Sequence, residues 1–193
     1  MKYKYLIGGG IAIGIIGIAI YFAKKALNKT GIDTMGNINK VWDNISEKNI
    51  EKLHPKLRDK AREFINKVEK DLGIKLRVTS TLRTYAEQDA LYAQGRTKTG
   101  RIVTNAKGGE SNHNFGTALD VVPIVNGEAA WKTSLDTWNK IGKIGKEIGF
   151  DWGGDWKKII DKPHFEMQFG NTLAQLRKKY ESGQKEGDYV NLT

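Results

Sequence analysis

From residue 46 to residue 72 the apolar positions Ile50, Leu53, Leu57, Ala61, Phe64, Ile65, Val68 and Leu72 recur at three- and four-residue steps. That spacing predicts helix, with Pro55 suited to a helix start and Gly73 to its end. Residues 75–80 (KLRVTS) alternate like a strand. A second helix is expected over 85–94, closed by Gly95, and a Gly- and Asn-rich loop follows to about Asn114. Residues 117–123 read as a strand and 135–148 as an amphipathic helix. A loop with Gly and Trp at 149–163 leads into a strand at 164–169, and a short helix at 173–180 precedes a polar tail at 183–193. Mixed helices with few strands predict an α+β domain over 46–182, built on a small antiparallel sheet flanked by helices.

The N-terminal pattern is different. Residues 5–23 are an uninterrupted apolar run with lysines at both ends. At about 1.5 Å of rise per residue, such a helix spans roughly 28 Å, close to the hydrocarbon thickness of a bilayer. Residues 1–30 are therefore expected to be a transmembrane anchor with basic flanks, and the polar stretch 31–45 a linker. A cleaved secretory signal is the rival reading. Its apolar region usually runs about 7–15 residues and ends in a small-x-small site, which Tyr21, Phe22, Ala23, Lys24 and Lys25 do not offer. Lysines on both flanks leave the orientation poorly specified. Gly10 and Gly14 form a GxxxG pair that lets two helices approach closely, so weak dimerisation through the anchor is an expectation.

Charge changes the picture little once it is divided. The formal net charge is +10, and half of it comes from Lys2, Lys4, Lys24, Lys25 and Lys29 in a segment without acids. The remainder is mildly basic with acids interspersed, which argues against a nucleic-acid-binding block; it suits an anionic polymer such as a bacterial wall, and solubility alone explains it equally well. Cysteine usage is more decisive. With no Cys and three His, the chain has no disulfide framework, no thiolate metal site and no cysteine nucleophile. Any metal site must be built from His and carboxylates.

Two of the three histidines lie in suggestive settings. His113 falls in a turn, and Asp120 in the strand behind it; alternation puts Asp120 with Ala118 and Val122, opposite Leu119 and Val121. In the last strand His164, Glu166 and Gln168 share one face, with Phe165, Met167 and Phe169 on the other. Zinc accepts imidazole nitrogen and carboxylate oxygen, and a catalytic site keeps a fourth position for water. Asp161, three residues before His164 across Pro163, is a carboxylate placed to take a proton from attacking water. Glu166 is the rival base, although its distance along the strand favours a supporting role behind His164. Read singly, each residue fits an ordinary part equally well: a satisfied strand histidine, a turn aspartate, a surface arginine.

The flanking motifs narrow this. SNHNFGTALD (111–120) and DKPHFE (161–166) resemble the S-x-H-x-x-G-x-A-x-D and D/E-x-x-H signatures of VanY-like D,D-carboxypeptidases and phage L-alanyl-D-glutamate endopeptidases. STLRTYAEQDALYAQGRT (80–97) resembles that family's R-x-x-x-E-Q-x-x-L-Y-x-Q-G-R stretch, and WGGDW (152–156) matches as well, so roughly 46–181 is covered. The resemblance implies a Hedgehog-like α+β fold whose sheet floors a zinc cleft. It implies His113, Asp120 and His164 as zinc ligands, Asp161 as catalytic acid/base, and Arg83 as the cation beside the substrate carbonyl. It places Gln88 and Ser111 near the cleft and Trp152 and Trp156 at its border, as substrate-binding positions. The implied activity is hydrolysis of peptidoglycan stem peptides, with the L-Ala–D-Glu bond favoured over terminal D-Ala–D-Ala; a non-catalytic, zinc-containing wall-binding module is the alternative. The peptidase domain is expected outside the cytoplasm.

Overall fold

The computed structural model describes residues 38–193. The expected anchor at 1–30 lies outside them, and among the described residues no helix is long and apolar enough to cross a membrane. Helix α1 (Ile38–Ile50) and helix α2 (Pro55–Leu72) come first, so residues 38–45, read as part of a linker, are helical. The break between the helices follows from local chemistry. Pro55 occupies the first turn of α2, where its missing N–H leaves no bond unmade. His54 caps that turn, its Nδ1 accepting from the Lys56 amide at 3.2 Å. Gly73 ends α2 at φ 67°, a left-handed conformation that suits glycine.

Strand β1 (Lys75–Ser80) and helix α3 (Tyr85–Ala93) follow as expected, the latter entered through a Thr84/Glu87 capping box. Strand β2 (Ala118–Val125) runs two residues past the expected end. It turns through Asn126 and Gly127, both at positive φ, into β3 (Glu128–Ala129). Asn-Gly is a strong hairpin signal, and it was there in the sequence to be read. Helix α4 (Leu135–Ile148), β4 (Asp151–Trp152), β5 (His164–Glu166) and α5 (Leu173–Glu181) complete the domain. The last strand ends at Glu166, three residues sooner than expected, and the chain then turns at Phe169 and Gly170, at φ 52° and 79°.

The main sheet is antiparallel in the order β1-β2-β5-β4, with β3 paired to β2. One face carries Val78, Leu119, Val121, Trp152 and Phe165 into a core shared with Leu57, Phe64 and Val68 of α2 and Trp138, Ile141 and Ile144 of α4. The opposite face carries Asp120, His164 and Glu166 beside the apolar Ala118 and Val122. Residues 185–190, expected in a polar tail, form a hairpin of β6 (Lys185–Glu186) and β7 (Tyr189–Val190). Val190 and Leu192 bury themselves against Phe115 and Leu176 in a second apolar cluster.

Candidate metal centre

Asp120 and His164 are directly paired across β2 and β5, so both project from the same face of the sheet. His113 reaches them from a 3-10 turn (Asn112–Phe115) that Ser111 caps and Gly116 closes at φ 68°. All three are buried. His113 Nε2 lies 3.3 Å from His164 Nδ1 and 3.3 Å from Asp120 Oδ1, and His164 Nδ1 lies 3.2 Å from that same oxygen. The outer nitrogens fix how the rings are used. His113 Nδ1 lies 2.7 Å from the Thr81 carbonyl, which can only accept, so it carries hydrogen and leaves Nε2 facing the cluster. His164 Nε2 lies 2.8 Å from Glu166 Oε2 and donates to it, turning Nδ1 inward.

The charges around this triangle act strongly on one another. Burial disfavours the His164 imidazolium, but its bonds to Asp120 and Glu166 more than offset this and push its pKa up to about 10. Burial, then the nearby Arg83, depresses His113. Burial works against the Asp120 carboxylate too, yet the two imidazoles hold it well below the usual carboxylate range. Burial, reinforced by the Asp120 charge, pushes Asp161 up to about 6.

The residues expected around the cluster divide into groups. Asp161 sits between Gly153, on which its carbonyl and Cβ close tightly, and His164, whose amide donates to the Asp161 carbonyl at 3.2 Å. Arg83 is largely buried, with Nη2 3.6 Å from Asp120 Oδ2. Trp156 is 39% exposed and lays its ring 5.0 Å from that of His164, so it borders the cluster. Trp152 does not. It is buried in the core beside Phe165, with Nε1 donating to the Lys162 carbonyl at 2.8 Å. Its bulk is needed there because Gly142 of α4 leaves the space it fills. Ser111 acts on the local backbone, its Oγ accepting from the His113 amide. Gln88 is fully buried behind Arg83, accepting from Nη1 at 2.8 Å.

Ser80 was missed by sequence reasoning. Its Oγ accepts from Arg83 Nη2 at 2.9 Å. It stands opposite Asp120 only because β1 slips register between Val78 and Ser80. A bulge at Thr79 thus turns Ser80 onto the cleft face, where strict alternation would have put Thr79.

Three inward-facing ligand atoms on two imidazoles and a carboxylate, with a further carboxylate and a buried arginine alongside, define a hydrolytic metal centre. Comparison with known proteins gives its family. Residues 104–167 match the family profile described as D-alanyl-D-alanine carboxypeptidase. The chain is 42% identical over 123 residues to the peptidoglycan L-alanyl-D-glutamate endopeptidase CwlK of Bacillus subtilis, spanning 60% of this chain and 73% of that protein. It is 30% identical over 122 residues to the L-alanyl-D-glutamate peptidase of Listeria phage A118, covering 63% of this chain and 40% of the phage protein. The crystal structure of the L-Ala D-Glu endopeptidase ChiX of Serratia marcescens aligns with a TM-score of 0.47 at 28% identity, over 65% of this chain and 87% of that one. The chain belongs to the M15 peptidase family and is a hydrolytic metallopeptidase.

Proposed function

We propose that the protein is a zinc-dependent endopeptidase that cuts peptidoglycan stem peptides between L-Ala and D-Glu. The observation that carries the metal is the triangle of ligand atoms, with edges of 3.2 to 3.3 Å. Ligands held about 2.0–2.1 Å from a tetrahedral zinc stand about 3.3–3.4 Å apart, so the donor set fits this ion in type and spacing. The bond specificity is supported by the relatives, two of which are named for that cleavage.

His113, Asp120 and His164 would hold the ion, which supplies Lewis acidity toward water and the scissile carbonyl. Asp161, outside the triangle, accepts the proton of the attacking water and returns it to the departing amine. Arg83 donates N–H bonds to the carbonyl oxygen as negative charge gathers there, a stabilisation strongest in the transition state. Trp156 forms a wall of the cleft at His164. Residues 1–30 tether the enzyme to a membrane, and Gly10 and Gly14 let two anchors pair weakly; the apolar run and the GxxxG spacing support this, and a wall substrate requires the domain on the wall side.

Mass spectrometry of purified peptidoglycan digested with and without a chelator tests the reaction. New L-Ala carboxyl and D-Glu amino termini that vanish on chelation are expected. Release of terminal D-Ala instead would make the enzyme a carboxypeptidase, and chelator-insensitive cleavage would remove the metal from the mechanism. Fractionation of cells producing the full chain tests the tether: the protein should remain in membranes washed with high salt.

A further inference from the structure

We propose that Gln88 is a positioning residue that aims the Arg83 guanidinium, acting through Arg83 and never touching substrate. The inference rests on the role given to Arg83 above and extends it one shell outward. Gln88 has no exposed surface, so a stem peptide in the cleft meets Arg83 and not the amide behind it. That placement departs from the substrate contact expected of Gln88 from the family resemblance.

The amide is oriented without ambiguity. Its Oε1 accepts from Arg83 Nη1 at 2.8 Å, and its Nε2 donates to the Ala106 carbonyl at 2.8 Å, with Thr104 Oγ1 at 3.4 Å. A guanidinium only donates and a carbonyl only accepts, so the reversed amide would fail at both ends. Gln88 therefore ties Arg83 to the loop that follows α3, and that loop is itself braced. Arg96 donates to the Tyr92 and Thr104 carbonyls and to Asn105 Oδ1, and Asp89 accepts from the Gly108 amide at 2.7 Å.

The backbone of Arg83 is held independently. Its amide donates to the His113 carbonyl at 2.9 Å, and its own carbonyl accepts from Asn114 Nδ2 at 2.9 Å. Ser80 holds the second guanidinium nitrogen. An arginine has several rotatable bonds, and a fixed backbone does not fix its far end. With Ser80 on one nitrogen and Gln88 on the other, the guanidinium plane is set before substrate arrives. Such preorganisation lowers the barrier to turnover more than it strengthens ground-state binding.

A double-mutant cycle tests this on the full-length, metal-loaded protein, using muropeptides and whichever stem-peptide bond the wild type cuts. Gln88→Met keeps the volume and removes the hydrogen bonds to Arg83, Ala106 and Thr104. It should lower kcat on the order of tenfold and leave KM within about twofold. In an Arg83→Ala background the same change should cause no further loss. Equal losses in both backgrounds, or a raised KM at unchanged kcat, would overturn the inference. Should Gln88→Met fail to fold, Gln88→Leu removes the same hydrogen bonds with a slightly smaller side chain. It should show the same loss of kcat with KM within about twofold of wild type, and full turnover by that variant would overturn the inference. Failure of the proposed function reads differently: the wild type would cut no L-Ala–D-Glu bond, or Arg83→Ala would leave turnover intact.

Discussion

At His164 the outer nitrogen decides what the inner one can do. Glu166 accepts from Nε2 at 2.8 Å, which fixes the ring and leaves Nδ1 toward Asp120 and His113. Carboxylates placed behind a ligating histidine raise its basicity and hold its orientation. Glu166→Gln should therefore weaken metal affinity by about 10- to 100-fold, measured by competition with a chelator of known strength. Unaltered affinity would reduce Glu166 to a bystander. Asp161 is separable from the ligands by the opposite pattern. Asp161→Asn should leave metal content by elemental analysis unchanged while kcat falls by about 10²- to 10⁴-fold, the usual worth of a positioned proton acceptor. Loss of the metal in that variant would instead assign Asp161 to the ion. The residue types were legible in the sequence because His is scarce and no Cys competes; the tautomers were not, since Thr81 offers only a backbone carbonyl.

Secondary structure places these side chains through two devices of different visibility. The helix periods and most boundaries followed from apolar spacing, and α4 matches its expected span at both ends. Its glycines were less transparent. An added Cβ on Gly142 would meet the Trp152 ring at 2.3 Å, and one on Gly145 would meet Phe165 at 2.5 Å. Helix propensity favours alanine over glycine by about 1 kcal/mol, whereas overpacking a filled core costs about 1–3 kcal/mol. The larger effect should win here, because the obstacle is a rigid ring packed in the core. Gly142→Ala is expected to lower stability in urea unfolding despite its better propensity; a stabilised variant would show that Trp152 can move aside. The bulge in β1 is the second device. Nothing in KLRVTS announces a register slip, so Ser80 reached the cleft by a route that alternation alone could not reveal.

Across the whole molecule, His54 links three distant parts of the chain. Its amide donates to the Gly116 carbonyl at 3.0 Å, just past the turn bearing His113. Its Nε2 donates to the Val190 carbonyl at 3.1 Å, while Nδ1 accepts from Lys56 at the head of α2. Only the Nδ1 bond needs a neutral ring, because protonation would set a second N–H against the Lys56 amide. Burial depresses its pKa below the ordinary 6.5; the bond to the Val190 carbonyl and the Glu186 charge oppose this, and the Lys56 and Arg58 charges reinforce it. As pH falls, the unfolded chain takes up the proton first, so the stability from this group is complete above about pH 6.5 and is lost below it. Urea unfolding of wild type and His54→Asn should show a clear difference at pH 8 that shrinks at pH 5.5. A difference of the same size at both pH values would mean that the ring does not titrate against folding.

The sequence by itself determined the α+β class, the order and period of the main elements, the restriction of any metal site to His and carboxylates, and the family. These depend on local spacing and on motifs that lie contiguous in the chain. Tertiary structure decided which of the marked residues meet. It brought His113, Asp120 and His164 to edges of 3.2 to 3.3 Å, set Trp156 beside them and sent Trp152 into the core. It also placed Gln88 behind Arg83, turned Ser80 toward the cleft, and folded the polar-looking tail onto Phe115 and Leu176. Each outcome depends on strand register, a bulge or the shape of a packed neighbour. Those are set by contacts between residues far apart in the chain, which no local pattern encodes.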